Sequence, residues 1–189
     1  MSNSIWEEKR IRRAQLRALA GTVSEEERTA AGSRIAETVT ALPSWQTAGT
    51  VLLFWGMAGE PDTSLLIREA LRAGKQVLLP RCLSGGRMEA VPFAPDRPMQ
   101  RGAYGIPELE GEAFQGNPDL VLVPCVSAAP DGRRLGHGIG YYDRYLPEHP
   151  GNRICLCLDR LISDDLPITP EDVRMPCVVT EKRIFYAAE

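Results

Sequence analysis

Apolar residues along this chain fall into two spacings, and the spacings predict the elements. Leu120 to Val123 is an unbroken apolar run, too short for a free helix and bounded by Asp119 and Pro124, which predicts a strand buried on both faces. Thr50 to Trp55, Gln76 to Pro80 and Asn152 to Asp159 read as further strands, and Met88 to Phe93 as an edge strand. Pro92, Pro95 and Pro98 exclude regular central structure there. Helical spacing appears elsewhere. Residues 4–20 predict a helix with Asn3 or Ser4 as cap. Ser24 and Glu27 form a capping box ahead of the stripe Ala31, Ile35, Val39, Leu42, which Pro43 ends. Glu60-Pro61-Asp62-Thr63 leads into a helix to Arg72, closed by Gly74. Strand, helix and strand in succession make a right-handed βαβ unit. The expectation is a single three-layer α/β domain over residues 1–189, with a largely parallel sheet.

Composition narrows the function classes. A chain of 189 residues can bury a real core in one domain, and 43% hydrophobic with 25% charged residues is ordinary for a globular protein. A net charge of −3 gives no reason to expect a nucleic-acid surface. No apolar stretch approaches the ~20 residues of a membrane span, and the polar N-terminus is no secretory signal. Five cysteines without CxxC spacing, beside only His137 and His149, argue against zinc and for buried, reduced thiols in a cytoplasmic protein.

The candidate chemistry gathers in Leu120 to Leu146. After the strand come the turn Pro130-Asp131-Gly132, then Arg133 and Arg134, then glycines at 136, 138 and 140, and then Tyr141-Tyr142-Asp143-Arg144-Tyr145-Leu146, which can open a helix. Alternating glycines let backbone N–H groups converge on an anion ahead of a helix start. No GK[ST] follows and the spacing is not that of a dinucleotide fingerprint. Spacing alone fits a phosphate cradle and a merely tight, glycine-rich turn equally well. Lys9, Arg13 and Arg17 share one helix face, which by itself reads as a solvated face balanced by Glu7 and Glu8. Glu60, between a strand and a helix, suits the helix dipole.

The string RLGHGIGYYDRYL, behind a strand ending in VP and a DG turn, resembles the signature of the 5-formyltetrahydrofolate cyclo-ligase (5,10-methenyltetrahydrofolate synthetase) family, and the resemblance runs over nearly the whole chain. The chain departs from the pattern at Cys125, at Ala129-Pro130 and in the order Pro107-Glu108. A glutamine is missing from Arg160 to Pro167, and Met175-Pro176-Cys177 replaces a second terminal aspartate.

The resemblance implies a fold similar to those of sugar-phosphate isomerases and CoA-transferases, and a reaction that cyclises 5-formyltetrahydrofolate to 5,10-methenyltetrahydrofolate with ATP converted to ADP and phosphate. It implies nucleotide contacts from Lys9, Arg13, Arg134, Gly136, His137, Gly138, Ile139, Gly140, Tyr141 and Tyr142. Folate contacts fall to Glu60, Tyr104, His137, Gly138, Gly140 and Tyr141. Catalytic roles fall to Arg134, Tyr141 and Lys9. Mg²⁺ falls to Asp143 and Asp172, which on local sequence are also a helix cap and a cap after Pro170. Tyr104 fits a pocket wall and a core or rim position equally. Neither Lys9 nor Arg134 is placed to be core, so both are expected to be removable with the fold intact. The partners are small molecules, ATP and a reduced folate, bound by a monomer or weak homo-oligomer. Two other readings stand beside this one: a sugar-phosphate-processing enzyme, which would show no ATP dependence, and a non-catalytic folate- or nucleotide-binding paralogue.

Overall fold

The computed structural model describes residues 2–96, 99–101 and 107–188. In chain order it begins with α1 (Ser2–Ala20), α2 (Glu25–Ala41), α3 (Pro43–Thr47), β1 (Thr50–Leu52), α4 (Ser64–Arg72), β2 (Gln76–Cys82) and β3 (Met88–Pro92). The short β4 (Met99–Arg101) and β5 (Pro107–Leu109) pair with each other, and β6 (Leu120–Val123) follows. The hairpin β7 (Ser127–Ala128) and β8 (Arg134–Leu135), then α5 (Tyr141–Glu148), β9 (Asn152–Leu156), β10 (Cys177–Val179) and β11 (Ile184–Tyr186) complete it.

Seven strands form the main sheet in the order β11-β10-β9-β6-β1-β2-β3. The inner pairings are parallel, and only the edges β3 and β11 run antiparallel. The expected mixed α/β fold with a mostly parallel sheet is what forms. The period of two sorts each strand between two cores. Val51, Leu53, Val77, Leu79, Leu120, Leu122, Ile154 and Leu156 face Ile35, Val39, Trp45, Leu66 and Ile67 of α2, α3 and α4. Leu52, Leu78, Val121, Val123, Cys155 and Cys157 face Tyr142, Tyr145 and Leu146 of α5. Leu16 of α1 joins a smaller cluster with Val126, Ala129, Leu135 and Leu166, so α1 docks on the hairpin.

Element ends differ from expectation where side chains take over backbone partners. β1 stops at Leu52 rather than Trp55 because the Thr63 hydroxyl donates to the Phe54 carbonyl at 2.5 Å and accepts the Gly56 N–H at 3.1 Å. β9 stops at Leu156, short of Asp159, whose N–H goes to Glu181. α1 already includes Asn3 and Ser4, so neither caps it. Pro43 does end α2, and at once starts α3, where its missing N–H is no loss. The capping box of Ser24 and Glu27 is present.

The chain leaves β1 for β2 on one side, whereas β6 lies on the other side of β1. Loops after β1 and β6 therefore diverge, which opens a crevice at the carboxyl ends of the two strands, the usual ligand position in open α/β sheets.

Candidate active site

Two loops and one helix build this crevice. The loop after β1 carries Glu60, which is 2% exposed. Its Oε2 accepts the Met57 N–H at 2.8 Å, and the Arg28 guanidinium holds the loop by donating to the Glu60 and Gly56 carbonyls. Asp62 caps α4 by accepting the Ser64 N–H.

The second loop runs from Arg134 to Gly140. Gly138 and Gly140 have φ of 109° and 81°, left-handed conformations that side chains resist, so this tight path into α5 requires glycine there. Gly140 is the residue just before α5, and the first turn of that helix directs its N–H groups towards the loop. Arg144 donates to the carbonyls of Ile139 and Gly86, fixing the loop to the β2–β3 turn. His137, at the loop's outer bend, brings Nε2 within 2.8 Å of Glu60 Oε1. The expected folate anchor and the expected phosphate loop thus meet.

α1 closes the crevice along its basic face. Lys9 donates to both oxygens of Asp172, at 2.7 and 2.5 Å; Arg13 donates to the Gly136 carbonyl at 2.9 Å; Arg17 donates to the His137 carbonyl at 2.9 Å. Lys9 is buried and Arg13 half-buried in this contact, whereas Arg17 stays exposed at its outer end. Arg13 and Arg17 form no ion pair among the described residues. Burial, and then the charge of Arg17, hold the Arg13 guanidinium below its ordinary range, with Asp172 and Asp143 offsetting part of the effect. Positive charge without a matching carboxylate is what an anionic ligand would relieve. The sequence reading includes Arg17 on this face but not among the site residues; its place four residues beyond Arg13 is the signal that puts it beside His137.

Arg134 lies deeper. It is 5% exposed, and its Nη2 donates to Asp143 Oδ1 at 2.6 Å. Oδ1 also accepts the Val173 N–H at 3.2 Å. Asp143 sits in the first turn of α5 as N3 rather than as its cap. Arg134 Nε and the Tyr142 hydroxyl are buried without a hydrogen-bond partner among the described residues. Burial, then the Glu60 charge, push the Tyr142 hydroxyl far above its ordinary range, so it remains a donor. Tyr141 starts α5 half-buried, at the edge of the core. Tyr104 lies outside the described residues.

One expectation changes here. Lys9 is 2% exposed, so Lys9 and Arg134 both belong to buried ion pairs and cannot be removed with the fold untouched. The segment lacking the glutamine is held instead by Arg12, which donates to Ser163 Oγ at 2.6 Å.

Mg²⁺ takes one or two carboxylates and completes its octahedron with phosphate oxygens and water. Asp143 Oδ2 carries no hydrogen bond among the described residues and suits that role. Asp172 differs: besides Lys9 it accepts the Thr169 N–H at 2.6 Å and the Thr169 hydroxyl at 3.3 Å, so both its oxygens are engaged. Among the described residues no three His, Cys, Asp or Glu side chains gather into a protein-only metal cage. The five cysteines form no disulfide among the described residues, and four of them are buried.

Comparison with known proteins gives one consistent answer. Residues 5–181 match the model of the 5-formyltetrahydrofolate cyclo-ligase family. A probable 5-formyltetrahydrofolate cyclo-ligase of Caenorhabditis elegans is 29% identical over 95% of each chain. The 5-formyltetrahydrofolate cyclo-ligase of Escherichia coli K12 is 28% identical, over 86% of this chain and 94% of the relative. The NMR structure of Aquifex aeolicus 5,10-methenyltetrahydrofolate synthetase superposes with a TM-score of 0.84 at 29% identity, covering 96% of this chain and 93% of the other.

Proposed function

The chain belongs to the 5-formyltetrahydrofolate cyclo-ligase family, and from that premise we propose that it converts 5-formyltetrahydrofolate and ATP to 5,10-methenyltetrahydrofolate, ADP and phosphate. The observation that carries the residue assignment is the 2.8 Å approach of His137 to Glu60, which joins a buried carboxylate to a glycine loop at one crevice.

The formyl oxygen on N5 attacks the γ-phosphorus, and ADP leaves. N10 then attacks the activated formyl carbon and gives up its proton, the C–O bond breaks, and phosphate departs. A poor leaving group has become a good one, and no covalent bond to the protein is needed. What the protein supplies is alignment and charge. Glu60 accepts from the donor edge of the tetrahydropterin with the lone pairs that the Met57 N–H and His137 leave on its two oxygens. Arg13 and the N–H groups of Gly136 to Tyr142 hold the polyphosphate. Lys9 has three donors, of which Asp172 uses two, leaving one for a phosphate oxygen. Asp172 serves as the positioning partner of Lys9. Asp143 would hold Mg²⁺ through Oδ2, and the ion would supply charge neutralisation on the phosphates. Arg134 keeps Asp143 in place.

The test is the absorbance of the methenyl product from the 5-formyl substrate, with and without ATP. ATP-dependent product is expected. Binding of both ligands without turnover would instead identify a non-catalytic paralogue.

A further inference from the structure

Trp6 is 53% exposed on α1, whereas Trp45 is buried and Trp55 packs on the core. Lys9 Nζ lies 5.1 Å from the centroid of the Trp6 ring, so the indole stands directly beside the ammonium that holds Asp172. At about 100° per residue, Trp6, Lys9, Arg13 and Arg17 fall within an arc of about 80°, with Trp6 between Arg13 and Arg17 in direction. Along the axis the order is Arg17 at the His137 carbonyl, Arg13 at the Gly136 carbonyl, Lys9 at Asp172, then Trp6. Arg13 and Trp6 are separated by about 10 Å of helix. An α-phosphate and a ribose bridge about that span between a β-phosphate and a nucleobase.

We propose that Trp6 is the stacking platform for the adenine of ATP. This rests on the polyphosphate reading above and extends it to the base. α1 then lays the nucleotide out along itself, with phosphates at Arg13 and Lys9 and the purine on the indole beyond them. Stacking suits the position: an exposed indole offers an apolar face and no hydrogen-bond acceptor, so it holds the base through its π-face and leaves selection between purines weak.

The experiment compares wild type, Trp6→Ala and Trp6→Phe, with inorganic tripolyphosphate as a competitor that lacks a base. In Trp6→Ala, KM for ATP should rise about tenfold, the loss of one base–aromatic stack. Trp6→Phe should recover most of it, kcat should change less than KM, and the inhibition constant of tripolyphosphate should stay the same. Adenosine alone should quench tryptophan emission in wild type and not in Trp6→Phe. An unchanged KM for ATP in Trp6→Ala overturns the proposal. So does an equal loss for ATP and tripolyphosphate, which would mean that Trp6 merely shelters Lys9. A wild type that quenches with adenosine yet makes no methenyl product supports the base site while sinking the catalytic reading, so the two fail separately.

Discussion

Lys9 reaches Asp172 across 163 positions of sequence, and this ion pair fastens the first helix to the loop that precedes β10. Its 2.5 Å contact sits where Lys9 is nearly inaccessible and Asp172 only partly open. The pair therefore serves twice, as a structural tie and as the means by which an ammonium is presented to the crevice.

Removing one member should cost stability. Lys9→Ala leaves a carboxylate with reduced compensation, and about 3 kcal/mol of unfolding free energy should be lost. The double variant Lys9→Met/Asp172→Leu should regain most of that while ATP-dependent turnover remains lost. Urea titrations and product absorbance on the same preparations check both halves. Recovery of turnover in the double variant would show that Lys9 acts only as a tie.

Asp143→Asn keeps the Oδ1 acceptor for Arg134 and the Val173 N–H and removes charge at Oδ2. The Mg²⁺ concentration for half-maximal rate should rise at least tenfold, about 1.4 kcal/mol, and the melting temperature should fall as well, because the buried Arg134 loses its counter-charge while keeping its hydrogen bond. Superimposable Mg²⁺ titrations would return Asp143 to the role of Arg134's partner alone.

Glu60→Gln presents an amide donor to a donor edge. Activity with the 5-formyl substrate should fall at least tenfold, about 1.4 kcal/mol, while ATP affinity is spared. If ATP affinity drops and folate kinetics hold, the carboxylate does not anchor the pterin.

The thiols should be inert in the native protein. The contact with Cys125, and then burial, hold Cys155 well above the ordinary thiol range. At Cys125 the contact with Cys155 lowers the value, but the contact with Cys157 and burial outweigh it and hold it well above that range. Burial pushes Cys177 up to about 11. A raised value means fewer thiolates, and the thiolate is the nucleophile. Iodoacetamide at pH 8 should label Cys82 first, and mass spectrometry should find the other four modified only after denaturation. The same shifts fix the sign of a stability effect. The unfolded chain ionises these thiols at lower pH than the folded one, so stability is full below the unfolded value and declines as pH rises above it. Rapid native labelling of Cys125 would contradict the buried cluster.

Much of this fold was legible because period-two alternation and the capping box act locally. Ile35 and Val39 were placed correctly by spacing alone, as was the run Leu120 to Val123. The hairpin of β7 and β8 was not. Its strands are two residues long, and Ser127 is fixed by a 2.5 Å bond to the distant Leu161 carbonyl rather than by propensity. The residue types of the site could be read from the glycine loop and its resemblance, but their partners could not. Nothing near Lys9 in sequence announces Asp172, and nothing near Arg134 announces that it is buried. A charge pattern gives the face of a helix; only tertiary packing decides whether that face meets water or carboxylates.

The docking of α1 has a consequence for synthesis. The helix that carries Lys9, Arg13 and Leu16 is made before its partners, because Leu16 packs on Val126, Ala129, Leu135 and Leu166, and Lys9 waits for Asp172. Nascent chains ending before Leu166 can already assemble β1, β2, β6 and β9 while α1 has only part of its seat. On such truncated chains, limited trypsin should cut at Lys9, Arg12 or Arg13 and spare the sheet. Chains that run through Asp172 and β11 should resist there, so the crevice is completed only once Asp172 has been made.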